Sequence, residues 1–153
     1  MKKKIGNFEV EETREGMIFR MVEPEPKHGK EVIRIFYPKS AAGKKQWNKL
    51  YGTNAYWAGK HHAVRVEDAR YWHSLTWAAM AAARVRKQPF ERPVTITFLW
   101  NDKLDLDNHS MMAKMILDGL KPKLIADDSR RWVRGIQHLW HEEPYIEVII
   151  REI

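Results

Sequence analysis

Between Pro93 and Trp100 the chain sets a large apolar side chain at every second position: Val94, Ile96, Phe98 and Trp100. Side chains alternate between the two faces of a strand, so this segment predicts a strand with one face on a core and requires a layer to cover that face. Val32-Ile33-Arg34-Ile35-Phe36 is rich in β-branched and aromatic residues, and Pro38 stops it, which predicts a second strand. Trp132–Trp140 and Tyr145–Arg151 also read as strands, joined by the polar turn His141-Glu142-Glu143-Pro144. The covering layer is supplied by helices. Over residues 67–87, Tyr71, Leu75, Ala78, Ala82 and Val85 form one apolar stripe at helical spacing. The small residues of Ala78–Ala83 allow close packing there, and Arg84, Arg86 and Lys87 fall in the last turn, where they complement the helix dipole. A second helix is expected from Asn108 to about Leu120, ended near Pro122. The order of elements predicts an α+β fold: one domain over residues 31–153, with a mixed sheet packed against two main helices. Residues 1–30 read as an N-terminal extension, partly strand near Met17–Val22 and broken by Pro24 and Pro26. Residues 39–62, with glycines at 43, 52 and 59, read as a loop.

At 153 residues the chain can bury a sizeable core, and its 44% apolar content with seven tryptophans argues for a folded globule. It has no cysteine, which excludes a disulfide framework, a thiolate nucleophile and a sulfur-based zinc site. Lys and Arg total 27 against 20 Asp and Glu, a formal net charge of +7, and this balance points to an anionic partner. No stretch has the length or apolarity of a signal peptide or a membrane span, and no cationic amphipathic helix suits a membrane surface, so a cytoplasmic protein without a membrane partner is expected.

In this basic chain, acidic groups gather at Asp105-Leu106-Asp107-Asn108 and at Asp127-Asp128. If the backbone stays extended past the 93–100 strand, Asp105 and Asp107 face the same way, and two such carboxylates repel unless a cation neutralises them. Hard oxygen ligands of this kind suit Mg²⁺, with Mn²⁺ as a substitute. Lys114 and Asp118 lie seven and eleven residues beyond Asp107, so a helix would put all three on one face with Lys114 aimed back at the carboxylates. Plainer roles exist for each: Asp107 as a helix N-cap, Asp127-Asp128-Ser129 as a turn, and Lys114 as the salt-bridge partner of Asp118. The 39–62 segment interleaves Lys44, Lys45, Lys49 and Lys60 with Trp47, Tyr51, Tyr56 and Trp57, a mixture suited to phosphates and unstacked bases or simply to an anchored loop. With Arg65, Arg130, Arg131 and Arg134, these lysines are the candidate phosphate contacts. His61 and His62 suit phosphate or solvent better than a metal. Trp132, Trp140, Met111, Met112 and Met115 are expected in the packing.

The order of these residues resembles the RusA family of Holliday junction resolvases, many of them encoded by phages and prophages. In that family an Asp-Leu-Asp-Asn opens a helix, a lysine and an aspartate follow four residues apart on it, and an Asp-Asp pair precedes the next strand. Here the matching residues are Asp105-Leu106-Asp107-Asn108, Lys114 with Asp118, and Asp127-Asp128. More weakly, Asn54, Tyr56, Trp57 and His62 resemble the family's segment ahead of its first long helix, which adds Asn54 to the DNA-contact candidates. The resemblance spans residues 32–36 and 53–151. It implies that Asp105, Asp107 and Asp128 are catalytic and hold Mg²⁺, with Asp127 a weaker candidate and Lys114 the essential basic residue. It also implies a homodimer that resolves four-way junctions by symmetric paired nicks. The stretch from Asn108 to Lys114 is longer than in the best-known member by about three residues, close to one helical turn. Residues 1–30 and 39–52 have no recognisable counterpart. Two other readings stay open: a nuclease for flaps or forks, and a non-catalytic protein that binds branched DNA.

Overall fold

A computed structural model of the chain describes residues 2–5, 8–21 and 29–153. Three N-terminal strands, β1 (Lys2–Ile5), β2 (Phe8–Thr13) and β3 (Gly16–Met21), form an antiparallel sheet in that order. The expected strand at Met17–Val22 corresponds to β3, and β1 and β2 are additional; Val22, Pro24 and Pro26 lie outside the described residues. The remainder is an α+β arrangement around a mixed four-stranded sheet. Its strands are β4 (Lys30–Phe36), β5 (Val94–Trp100), β6 (Val133–Trp140) and β7 (Tyr145–Glu152), in the order β4-β7-β5-β6. β7 runs antiparallel to both β4 and β5, whereas β5 and β6 are parallel.

The alternation read from residues 93–100 is realised in β5. Val94, Ile96, Phe98 and Trp100 are buried, and they join Ile33, Ile35, Ile146, Val148 and Ile150 on one face. Helices α3 (His62–Ala83) and α4 (Ser110–Leu120) supply the covering layer through Trp72, Ala79, Met80, Met112, Ile116 and Leu120. The buried face of α3 is not the predicted stripe. Asp68, Trp72, Thr76, Ala79 and Met80 turn inward, while Tyr71, Ala78 and Ala82 are exposed. Two members of the true face are polar, and a hydrophobicity pattern passes over them. Thr76 hides its hydroxyl by donating to the Trp72 carbonyl at 2.7 Å. Close packing is found just before the alanine run, where a Cβ on Gly119 of α4 would meet the Thr76 side chain at 3.0 Å. α3 ends at Ala83, and Arg84 takes a left-handed φ of 49° as its C-cap, so Arg86 and Lys87 lie beyond the helix rather than in its last turn.

Residues 39–62 are not a loop. They hold α1 (Ala41–Tyr51) and α2 (Thr53–Trp57). Ser40 caps α1 by accepting from the Gly43 N–H at 3.0 Å, and Trp47 and Tyr51, four residues apart, bury one face. The lysines and glycines around them hid that short spacing. Trp140 also departs from expectation. β6 is an edge strand, and Trp140 there is 47% exposed.

Ile116 is fully buried at the meeting of α4 and the sheet. Ile116→Ala is expected to lower the unfolding free energy by about 2–5 kcal/mol in urea titrations. His138 of β6 accepts from the Trp100 indole N–H at 3.0 Å. Burial first, and the neighbouring His109 second, push its pKa below the usual 6.5. Folding therefore favours the neutral ring, whose contribution is complete above the unfolded value and is lost as pH falls through the folded one. The stability lost between about pH 7.5 and about pH 5.5 should be smaller in His138→Gln than in the parent chain. An equal loss would remove His138 as its source.

Candidate active site

β5 delivers the chain to residues 101–109, where a buried cluster fixes the backbone. The Tyr37 hydroxyl, one residue past β4, accepts from the Asn101 N–H at 2.9 Å and donates to Asp102 at 3.1 Å. Burial, together with the Asp102 carboxylate, holds this phenol protonated far above its ordinary range. Asp102 also accepts from the Leu104 N–H at 2.9 Å and meets His109 Nε2 at 2.8 Å. The other ring nitrogen, Nδ1, faces the Leu106 carbonyl at 3.0 Å. The His109 and Asp102 side chains are 0% and 2% exposed, and the imidazole packs on Trp100 with ring centroids 4.3 Å apart. Both imidazole nitrogens face oxygen acceptors. The pair is thereby held at both ring nitrogens within a buried hydrogen-bond set.

This cluster shapes the corner that carries Asp105 and Asp107. Asp105 is extended, with φ −64° and ψ 151°, at the entrance to a 3-10 turn at Leu106–His109. The Asn108 N–H donates to the Asp105 carbonyl at 2.9 Å, and the Ser110 hydroxyl to the Asp107 carbonyl at 3.0 Å. Asn108 ties the corner to α2 by accepting from the Asn54 N–H at 3.0 Å. Asp107 therefore lies within the 3-10 turn and does not cap α4. Both carboxylates are exposed, and among the described residues neither side chain has a hydrogen-bond or ion-pair partner.

Asp128 lies elsewhere. The β5–α4–β6 crossover carries the chain back to the start of β5, where the Phe90 N–H donates to the Leu124 carbonyl at 2.9 Å. There Asp128 pairs with Lys121 at 3.0 Å, and Lys121 pairs with Asp118 at 3.2 Å. The hydrogen bond from Lys121 holds the Asp128 pKa below the ordinary carboxylate value. Asp118, the member of this group nearest in sequence to Asp107, lies eleven residues beyond it, about 16 Å along the axis. Among the described residues, no three His, Asp or Glu side chains gather into a group able to hold a metal ion. Asp105 and Asp107 thus sit on one corner, although Asp107 lies in the 3-10 turn rather than in the extended backbone expected of it, whereas Asp128 pairs with Lys121 beyond α4. Asp127 is exposed beside Asp128. Lys114 does not point back to the corner. It is 61% exposed and pairs with Asp118 at 3.0 Å, four residues toward the C-terminus of α4. It shares a cleft of about 280 Å³ with Tyr56, His62 and Arg65.

The basic candidates divide in the same way. Lys44 and Lys45 line a cavity of about 620 Å³ with Asn48, Asn101 and Lys103, next to the acidic corner. Lys49 is exposed at the end of α1. Lys60 is turned inward, against expectation. Its ammonium pairs with the buried Asp68 and donates to the Leu50 carbonyl at 2.6 Å, leaving the side chain 11% exposed. The Tyr56 hydroxyl completes this group by donating to Asp68 at 2.7 Å. Lys60 therefore acts as a structural cation that joins α1, α2 and α3. His61 is also engaged locally, capping α3 by accepting from the Ala63 N–H at 3.2 Å. Arg130 and Arg131 are exposed, and the Arg131 guanidinium lies 5.2 Å from the centre of the Trp132 ring.

Tyr37, Asp102 and His109 carry no periodic signal, and only their convergence in space marks them. Tyr37→Phe leaves the part-buried Asn101 N–H without its partner and removes one of the hydrogen bonds to Asp102, and should cost about 1–3 kcal/mol of stability by urea unfolding.

Compared with protein-family models and with characterised proteins, the chain matches none, so its functional reading rests on its own residues.

Proposed function

We propose that this chain is a metal-dependent endodeoxyribonuclease of the RusA kind. It would act as a homodimer and nick branched DNA at a four-way junction, in recombination and repair. One observation carries the reading: Asp105 and Asp107 stand exposed, and unpaired among the described residues, on a hydrogen-bonded corner of a chain with net charge +7. Unneutralised carboxylates so placed fit Mg²⁺, which takes one or two carboxylates and leaves its other positions to water and substrate phosphate. Mn²⁺ fits the same donors. Bound there, the ion would supply charge neutralisation and polarise the scissile phosphate.

The protein's own part is to position and to neutralise. The Tyr37–Asp102–His109 cluster holds the carboxylates without competing for their oxygens. Lys44, Lys45 and Lys103 offer cations to the phosphates that flank the corner. Among the described residues Lys114 is tethered by an exposed i,i+4 pair worth about 0.3–0.5 kcal/mol, a hold weak enough for it to turn to a phosphate. Two nicks on opposed strands need two such sites, hence two copies.

The separation of Asp128 from Asp105 and Asp107 favours a second reading, a non-catalytic protein that binds branched DNA. A labelled synthetic four-way junction, with a linear duplex as control, separates the two in the presence of Mg²⁺, Mn²⁺ or EDTA. Paired, metal-dependent nicks confined to the junction are expected, and Asp107→Asn should abolish them while junction binding is kept or tightened. Binding without cutting under either metal would establish the second reading. Lys44→Ala with Lys45→Ala should weaken junction binding and flatten its salt dependence by about one to two units of log–log slope.

A further inference from the structure

Not all of the positive charge surrounds the acidic corner. At the opposite end of β5, about 23 Å away at the rise of a seven-residue strand, Arg92, Arg130 and Arg134 line a cavity of about 570 Å³ with Pro93 and Ile153. Its walls come from three stretches of chain joined by backbone hydrogen bonds. The Val94 N–H donates to the Trp132 carbonyl at 2.8 Å, and the Ile153 N–H to the Pro93 carbonyl at 3.0 Å. The Trp132 and Val133 N–H groups both donate to the Ser129 carbonyl at 2.9 Å. Arg130 and Arg134 are thus carried on a closed turn and the strand that follows it.

A sheet irregularity sets the aim of Arg134. The pairing of β5 with β6 passes from Val94 opposite Val133 to Thr95 opposite Gly135, so Arg134 is an extra residue with no partner. A bulge of this kind takes one residue out of the alternation and redirects its side chain. Here the redirected side chain joins two other arginines. All three are exposed, and among the described residues none forms an ion pair with a carboxylate. Three permanent cations lining one cavity repel one another. That arrangement becomes favourable when an oxyanion fills it, and the planar guanidinium fork matches phosphate oxygens.

We infer that the Arg92–Arg130–Arg134 cavity is a phosphate site, and that the phosphate it takes belongs to the backbone of DNA. Beyond the guanidiniums, the lining is Pro93 and Ile153, without an amide or carboxylate side chain, as suits a contact to the phosphate backbone. The inference rests on the proposed function only in taking DNA as the polyanion. It requires no metal and no cleavage.

The test is fluorescence anisotropy of the full chain on labelled four-way junction and linear duplex, in EDTA and over a range of KCl concentrations. Arg92→Gln/Arg134→Gln is compared with a charge-matched control, Arg14→Gln/Arg70→Gln, whose residues are exposed and lie outside the cavity. The cavity variant should bind both DNAs about tenfold more weakly near 100 mM KCl and lose about one unit of salt slope, while the control changes by less than about threefold. Equal losses in the two variants would reduce the effect to net charge and overturn the inference, as would no loss in the cavity variant. Saturable binding of inorganic phosphate, lost in the cavity variant while DNA binding is unchanged, would assign the cavity to a small phosphate ligand and overturn the DNA assignment. Because EDTA prevents cleavage, a chain that binds DNA through this cavity but never cuts would sink the nuclease reading and leave this inference standing. A chain that cuts junctions with these arginines replaced and its affinity intact would do the reverse.

Discussion

The buried contact between His109 and Asp102 is the interaction on which the candidate site depends. A carboxylate and an imidazole buried together are tolerable only if each remaining lone pair and proton finds a partner, and here Tyr37, Leu104 and Leu106 supply them. Removing one member of such a pair leaves a buried polar group without its partner, at a cost of about 1–3 kcal/mol. The cluster therefore determines more than its own geometry. It joins the end of β4 to the end of β5 and sets the entrance to the 3-10 turn. It also leaves Asp105 and Asp107 facing solvent with their oxygens uncommitted.

The β5–α4–β6 crossover is the second constraint. Two neighbouring parallel strands must be joined by a connection that returns the chain to its starting end. α4 makes that return, so the residues before it and the residues after it are held apart by its length. Asp105 and Asp107 precede it, and Asp127 and Asp128 follow it. The same return places Lys114 in the middle and Arg130 and Arg134 at the far end. Charged groups are thereby spread along one edge unit of the sheet, a distribution suited to an extended polyanion rather than to a small ligand.

Much of the fold was legible. β4, β5, β6 and β7 follow from β-branched alternation and turn residues, and α4 ends close to Pro122 as expected. The misreadings share one cause. A buried face made partly of polar residues that satisfy each other looks exposed to a hydrophobicity pattern. Asp68 and Thr76 hid the true face of α3, and the Lys60–Asp68–Tyr56 group made a packed helical segment look like a cationic loop. Trp140 failed in the opposite sense. Its apolar character predicted burial, but β6 has a neighbouring strand on one side only, and Trp140 stays half exposed there.

The local chemistry was determined by the sequence alone: one-faced strands, a basic balance of charge, two acidic groups in a fixed order and a lysine four residues before an aspartate. These are properties of neighbouring residues, and the short-range rules of strands and helices are enough to read them. Only the tertiary structure decided which of those groups meet. Asp105 and Asp107 share a corner, but Asp128 belongs to Lys121. Lys60 belongs to the core, and a one-residue bulge sends Arg134 to Arg92 and Arg130. Each of these outcomes is set by the length of a crossover helix, by a buried hydrogen-bond set or by strand register, and all three depend on partners distant in the chain.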